Sequence, residues 1–280
     1  MNRHCLHSFV LACGLVVWPG LPVHAADNAS GYFRMADTRL DVGHAIAVID
    51  EQSGSGDDNH TLVFLSAVPL DPQKVAAAFD AMDAVREQDP KGGYIRLCID
   101  ADGGDCGLFF SPEGFNSGGY GEFTLEHNDA RRIAGRFVLA QPEDFMGEAY
   151  QFDLHFDAAI TPLPGTALPP GGGEAGKAYN AYLAALAQGD FAALRTMAGE
   201  DGAWRYPEDD LTAAKEALKS ARDGQPLQAQ IVRGRLHSRE AVLWVRGVDR
   251  DDIPRAGRVR MVDTATGWRF EEADLDTVDD

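Results

Sequence analysis

From residue 32 onward the chain alternates apolar and polar residues in short runs, the two-residue period of half-buried strands. Tyr32–Met35 and Ala45–Ile49 lead to a polar turn at Ser53–Asn59, and Thr61–Leu65 resumes the pattern. Asp71 then sits before Pro72, and Val75, Phe79 and Met82 recur at helical spacing, which predicts one capped helix lying on the sheet. Tyr94–Ile99 and Cys106–Phe110 flank the turn formers Asp102, Gly103, Gly104 and Asp105, the outline of a hairpin centred on position 102. Further runs follow at Phe123–Leu125, Ile133–Leu139 and Tyr150–Asp157; in the last, Tyr150, Phe152, Leu154 and Phe156 share one face. Residues 26–160 therefore read as a β-sandwich or partly open barrel with one helix packed on it.

Residues 161–173 hold four prolines and four glycines, a composition that suits a linker and neither a helix interior nor a central strand. After it the period changes. Tyr179, Leu183 and Leu186 mark a first helix that Gly189 ends; Asp190 caps a second carrying Phe191, Leu194 and Met197; Asp209 or Asp210 caps a third with Leu211, Ala214 and Leu218. Strands follow at 227–236, 241–248, 257–262 and 268–271, so residues 174–280 form an α+β domain of three helices and an antiparallel sheet.

The segment from Gly176 to Leu183, with the Gly189–Asp190 turn and Phe191–Leu194, resembles the opening of the nuclear transport factor 2-like superfamily. Arg258–Val262 and Gly267–Phe270 are similar to its last hairpin. The resemblance covers residues 174–274 and implies a cone-shaped domain with a pocket between helix and sheet. It also implies that an enzyme of the isomerase or hydrolase kind would place a buried acid beside an oxyanion donor there. Residues 26–160 are similar only to exported bacterial domains without assigned chemistry.

Residues 1–25 carry Arg3, a short apolar stretch through Trp18, a Pro19–Gly20 break and Val23-His24-Ala25, the signature of a cleaved secretory signal peptide. A lipoprotein reading, with Cys13 acylated after Val10-Leu11-Ala12, is the alternative. The apolar stretch is too short for a membrane span, and the mature chain is expected in the periplasm or secreted. Cleavage leaves Cys98 and Cys106, which read as a disulfide across the hairpin; a redox-active pair ordinarily has closer Cys-x-x-Cys spacing.

The formal charge of −19 lies mainly in the first segment, at −15 for residues 26–160 against −5 for residues 161–280. Such a surface repels nucleic acid and anionic membrane. Among candidate sites, Trp204, Tyr206 and Asp209 could line a pocket mouth in the second domain, although packing more often explains aromatics at a helix junction. Its one histidine, His237, falls at a turn. Arg233 with Arg235, and Arg258 with Arg260, alternate onto one sheet face; Arg246 lies on a strand between them. These arginines form either a solvated face or a surface for an anion or acidic partner, including the acidic first domain. Asp100, Asp102 and Asp105 lack the later ligands of a calcium loop, and His44, His60, His127 and His155 show no metal-ligand spacing. No catalytic residue, metal or cofactor is assigned. The pattern favours an exported, non-catalytic protein that binds an envelope partner, with a small-molecule binder or an enzyme using the C-terminal pocket as the alternative.

Overall fold

The computed structural model describes residues 28–50, 59–199 and 202–278. The signal peptide and lipobox readings, and most of the 53–59 turn, lie outside the described residues. Among the described residues half are strand and 24% helix, so this part of the molecule is built on sheets.

The first sheet is a single ten-stranded layer. The hairpin β1 (Asn28–Met35) and β2 (Thr38–Asp41) leads to β3 (His44–Asp50) and β4 (His60–Ser66). Helices α1 (Pro72–Ala77) and α2 (Ala81–Glu87) follow, then β5 (Tyr94–Ile99), β6 (Asp105–Phe110), β7 (Phe115–Ser117), β8 (Glu122–Asn128), β9 (Arg132–Phe145) and β10 (Glu148–Thr161). The strand order is β7-β6-β5-β4-β3-β1-β10-β9-β8, with β2 beside β1. All pairings are antiparallel except a short parallel one between the ends of β3 and β10. In a flat sheet β1 would lie roughly 19 Å from β6, four strand spacings away. Yet the Phe33 ring of β1 stacks on Phe110 of β6 with centroids 4.2 Å apart, so the sheet curls round its own apolar face. Phe115, Tyr150 and Phe152 join that stack. Of the expected sandwich or partly open barrel, the two-sheet sandwich does not form, and one curled sheet stands in its place. Gly31 permits the close approach of β1 to β10: at φ +110° a Cβ there would lie 1.8 Å from the Asp153 carbonyl oxygen.

The opposite face, with Ile46, Val48, Phe64 and Tyr94, is covered by α1 and α2. The expected single helix is two. Asp71 caps α1 through the amides of Gln73 and Lys74, and Asp80 caps α2 through those of Met82 and Asp83. An aspartate accepting two amide hydrogen bonds starts a new helix more readily than it continues an old one. Phe79, read from its spacing as part of the stripe, therefore sits in the break.

The second sheet is a meander, β11 (Thr166–Ala167), β12 (Gln228–His237), β13 (Glu240–Val248), β14 (Pro254–Thr264) and β15 (Gly267–Thr277), in that spatial order. Between β11 and β12 run α3 (Gly173–Gln188), α4 (Phe191–Met197), α5 (Gly202–Arg205) and α6 (Leu211–Asp223). Gly189 ends α3 in the left-handed conformation, and Asp190 and Asp210 cap α4 and α6. The Pro/Gly segment 161–173 is tied down rather than loose: Thr166 and Ala167 pair with Leu236 and Arg235, and the Pro164 carbonyl accepts from Arg235.

This second unit is not the three-helix cone that the resemblance implied. Two antiparallel sheets with few helices make up the molecule, and the space between helices and sheet is filled. Tyr179, Tyr182 and Tyr206 are fully buried there against Leu243, Val259, Met261 and Phe270, and Tyr182 stacks on Phe270 at 4.2 Å. The Gly–Asp turn and the closing hairpin are local capping and turn devices, common to many α+β layers, and do not specify how a sheet bends.

Candidate binding cleft

The arginine pairs read from the sequence stand on the sheet face that points away from the helices. Two cross-strand rows run over β12 to β15: Arg233, Trp244, Arg258 and Asp274 in one, Arg235, Val242, Arg260 and Glu272 in the other. Adjacent rows of side chains on one sheet face interact directly. Arg233 lies over the Trp244 ring at 4.3 Å, and Arg260 forms an ion pair with Glu272 at 2.9 Å. Arg246 is exposed.

The first unit covers part of this face. Phe79, at the break between α1 and α2, sits under the Arg258 guanidinium at 4.8 Å and within 5.9 Å of Arg260. Asp50, at the end of β3, lies 3.8 Å from Arg258 Nη1, an ion-pair distance too long for a hydrogen bond. Both side chains are buried, at 9% and 8% exposure, and Arg258 also reaches Asp274 at 3.3 Å. The arginine face is therefore neither wholly solvated nor free for a foreign anion: part of it meets the acidic first unit.

Burial pushes the Asp50 carboxyl up to about 6, against the pull of Arg258 and His60. Desolvation outweighs attraction because the pair is loose and Arg258 Nε finds no acceptor. A cavity of about 20 Å³ lies beside the pair, bordered by Val75, Leu163, Arg235 and Trp244. That volume suits a single water molecule.

Beyond this contact the units diverge and leave a cleft of about 1070 Å³. One wall is α1 and α2, with Lys74, Asp80, Asp83, Glu87 and Gln88; the other is the β12–β13 and β14–β15 turns, with His237, Arg239, Glu240, Asp263 and Thr264, together with Arg260 and Glu272. Six acids against two arginines and a lysine give the lining a negative balance. Its floor is the buried Phe79 and its rim is exposed, so the concave lining is electrostatically more favourable to cationic than to anionic groups.

The other sequence candidates fall elsewhere. Tyr206 is in the core, whereas Trp204 is 82% exposed and Asp209 is on the surface, so the three do not converge on a pocket. Burial pushes the Tyr179 and Tyr182 hydroxyls far above their usual range, and Tyr179 donates to Gln225 at 2.7 Å. The space at the end of α3 and α6 measures only about 20 Å³. Asp100 and Asp105 accept the amides of Gly104 and Gly107, the turn chemistry that their spacing suggested. His127 and His155 pair with Asp129 and Asp153, and His44 stands apart on β3.

Cys98 and Cys106 lie at disulfide distance, with Cα atoms 5.0 Å apart. Their register is one step from the expected symmetric pairing: Cys98 faces Gly107 and Ile99 faces Asp105, which puts Cys106 in a bulge. Among the described residues, His60, Cys98 and Cys106 form a group whose ligand atoms lie within 4.8 Å of one another. While the sulfurs are bonded to each other, this group is not a metal-ligand set.

No helix among the described residues is long and apolar enough to cross a membrane. Comparison of the chain with family models, curated proteins and solved structures finds no match in any of the three.

No sequence pattern pointed directly to the cleft, because its walls come from distant segments. One signal was present: Asp50 falls in register with Ile46 and Val48, on the face that turns apolar against α1. A lone carboxylate at such a position calls for a buried partner.

Proposed function

We propose that this is an exported, non-catalytic binding protein of the bacterial cell envelope, and that the cleft between its two sheets receives a basic segment of a partner protein. The observation that carries the reading is the cleft itself, a concave and negatively balanced site whose walls come from both units. Concave sites between structural units are where ligands ordinarily bind. The filled interior of the second unit supports this location over the alternative pocket for a small molecule or an isomerase-type reaction. The disulfide supports an oxidising compartment, in keeping with the N-terminal signature.

Native mass spectrometry of the mature protein, purified gently from its host's envelope fraction, tests the reading. The partner is expected to co-purify with the natural chain, to dissociate as ionic strength rises, and to be lost from the Asp83→Lys/Glu87→Lys double variant with its fold intact. Both residues are exposed on α2, so charge reversal should disturb the cleft more than the fold. A partner retained by the double variant, or a reproducible small-molecule adduct in its place, would overturn it.

A further inference from the structure

The disulfide has two unlike ends. Cys98 is buried on β5, whereas Cys106 is exposed in the bulge of β6. The edge strand β7 pairs only with Leu108, Phe109 and Phe110, so it stops short of Cys106 and leaves that part of β6 uncovered. On the buried side, His60 Nδ1 lies 3.7 Å from Cys98 Sγ. No other histidine or acid among the described residues joins that group.

We propose that Cys98–Cys106 is an exchangeable disulfide with a fixed direction, in which Cys106 is the site of mixed-disulfide formation with an external thiol. The incoming thiolate attacks Cys106 Sγ along the sulfur–sulfur axis from the open side. A new bond forms between its sulfur and Cys106, the old bond breaks, and its electron pair leaves on Cys98. The Cys98 thiolate is held by His60, which gives it a proton or a charged hydrogen bond. A second thiol, on the same dithiol reductant or from solution, then releases Cys106 and completes reduction. Two features set the direction: access to the sulfur attacked and stability of the sulfur that leaves. An imidazole beside a thiol stabilises its thiolate, which makes Cys98 the better leaving group. Cys106 Sγ lies within 4.8 Å of the same imidazole, but the hydrogen-bond contact, at 3.7 Å, is to Cys98. Spacing alone gave no sign of this, because the motif that usually marks reactive pairs brings the cysteines together along the chain, whereas here β4, β5 and a bulge do so. His60 is also the cross-strand partner of Asp50, so the bridge lies one side chain from the ion pair that joins the units.

The test uses the full mature chain and glutathione as the thiol. The protein is exposed briefly to millimolar glutathione near neutral pH, quenched with acid, alkylated, and mapped by peptide mass. The expected result is a glutathione adduct on Cys106 and alkylation on Cys98, with His60→Ala and His60→Gln each slowing the exchange on the order of tenfold. Adducts on Cys98, an equal distribution, or no reaction of the folded natural chain would each overturn the proposal, and none depends on the variants folding. Unchanged rates in well-folded His60 variants would do so as well. Because the cleft is not involved, partner loss in the charge-reversal variant and exchange at Cys106 succeed or fail separately.

Discussion

Replacing Arg258 by Met is expected to lower the unfolding free energy by about 3–5 kcal/mol at pH 7.5, and by distinctly less at pH 5. The variant removes the cation facing Asp50 and leaves that carboxylate buried without its partner. The sign of the pH effect follows from linkage. The Asp50 carboxyl titrates at about 6 in the fold and near 3.8 when free, so between those values the folded state holds a proton that the unfolded state has released. Stability from this group is fully present below about pH 4 and fades as the pH rises through 6. The whole shift is worth about 3 kcal/mol. Without Arg258 the carboxyl moves higher still, since that guanidinium is the largest influence lowering it. At pH 5 Asp50 is already protonated and little remains to be lost beyond the contacts of Arg258 with Phe79 and Asp274. Asp50→Asn should flatten the dependence between pH 4 and 7. Urea denaturation of the three proteins at pH 5 and 7.5 measures all of this; equal destabilisation by Arg258→Met at both would sever the link between Asp50 and Arg258.

Tyr182→Ala is the second large expected effect, at about 3–5 kcal/mol. The ring is fully buried and lies parallel to Phe270 at an interplanar angle of 8°, between α3 and the sheet. Removing it opens an apolar cavity where the sequence resemblance implied a natural pocket. Calorimetry should show the loss, and small aromatic molecules should stabilise the variant while leaving the natural chain unaffected. Stabilisation of the natural chain by the same molecules would mean that its interior is open.

Much of the local structure was legible because it is set by near neighbours. The alternation over Tyr150–Asp157 lies within β10, and Asp190, Gly189 and Asp210 mark helix ends where capping chemistry requires them. The hairpin joining the cysteines was legible as well, although the bulge at Cys106 moved its register by one residue. The break between α1 and α2 was legible only in Asp80, a capping residue that the apolar stripe on either side concealed. What lay beyond reach was curvature and docking. Whether a sheet of alternating strands folds on itself or pairs with a second sheet depends on contacts such as Phe33 with Phe110, which are far apart in the chain. The arginine rows were visible as a face, but Phe79 and Asp50 could not be seen to cover it. Nor could the cleft, which exists only because the two units meet at that point and part beyond it.

The Asp50–Arg258–Phe79 contact holds the two units in one arrangement and thereby shapes the cleft. The most direct test is a distance distribution between spin labels at Glu126 on β8 and Lys215 on α6, both exposed and remote from the contact. A single narrow distribution is expected for the natural chain, persisting or sharpening from pH 7.5 to 5, and broadening for Arg258→Met at pH 7.5. A broad distribution in the natural chain, or one left unchanged by Arg258→Met, would contradict it.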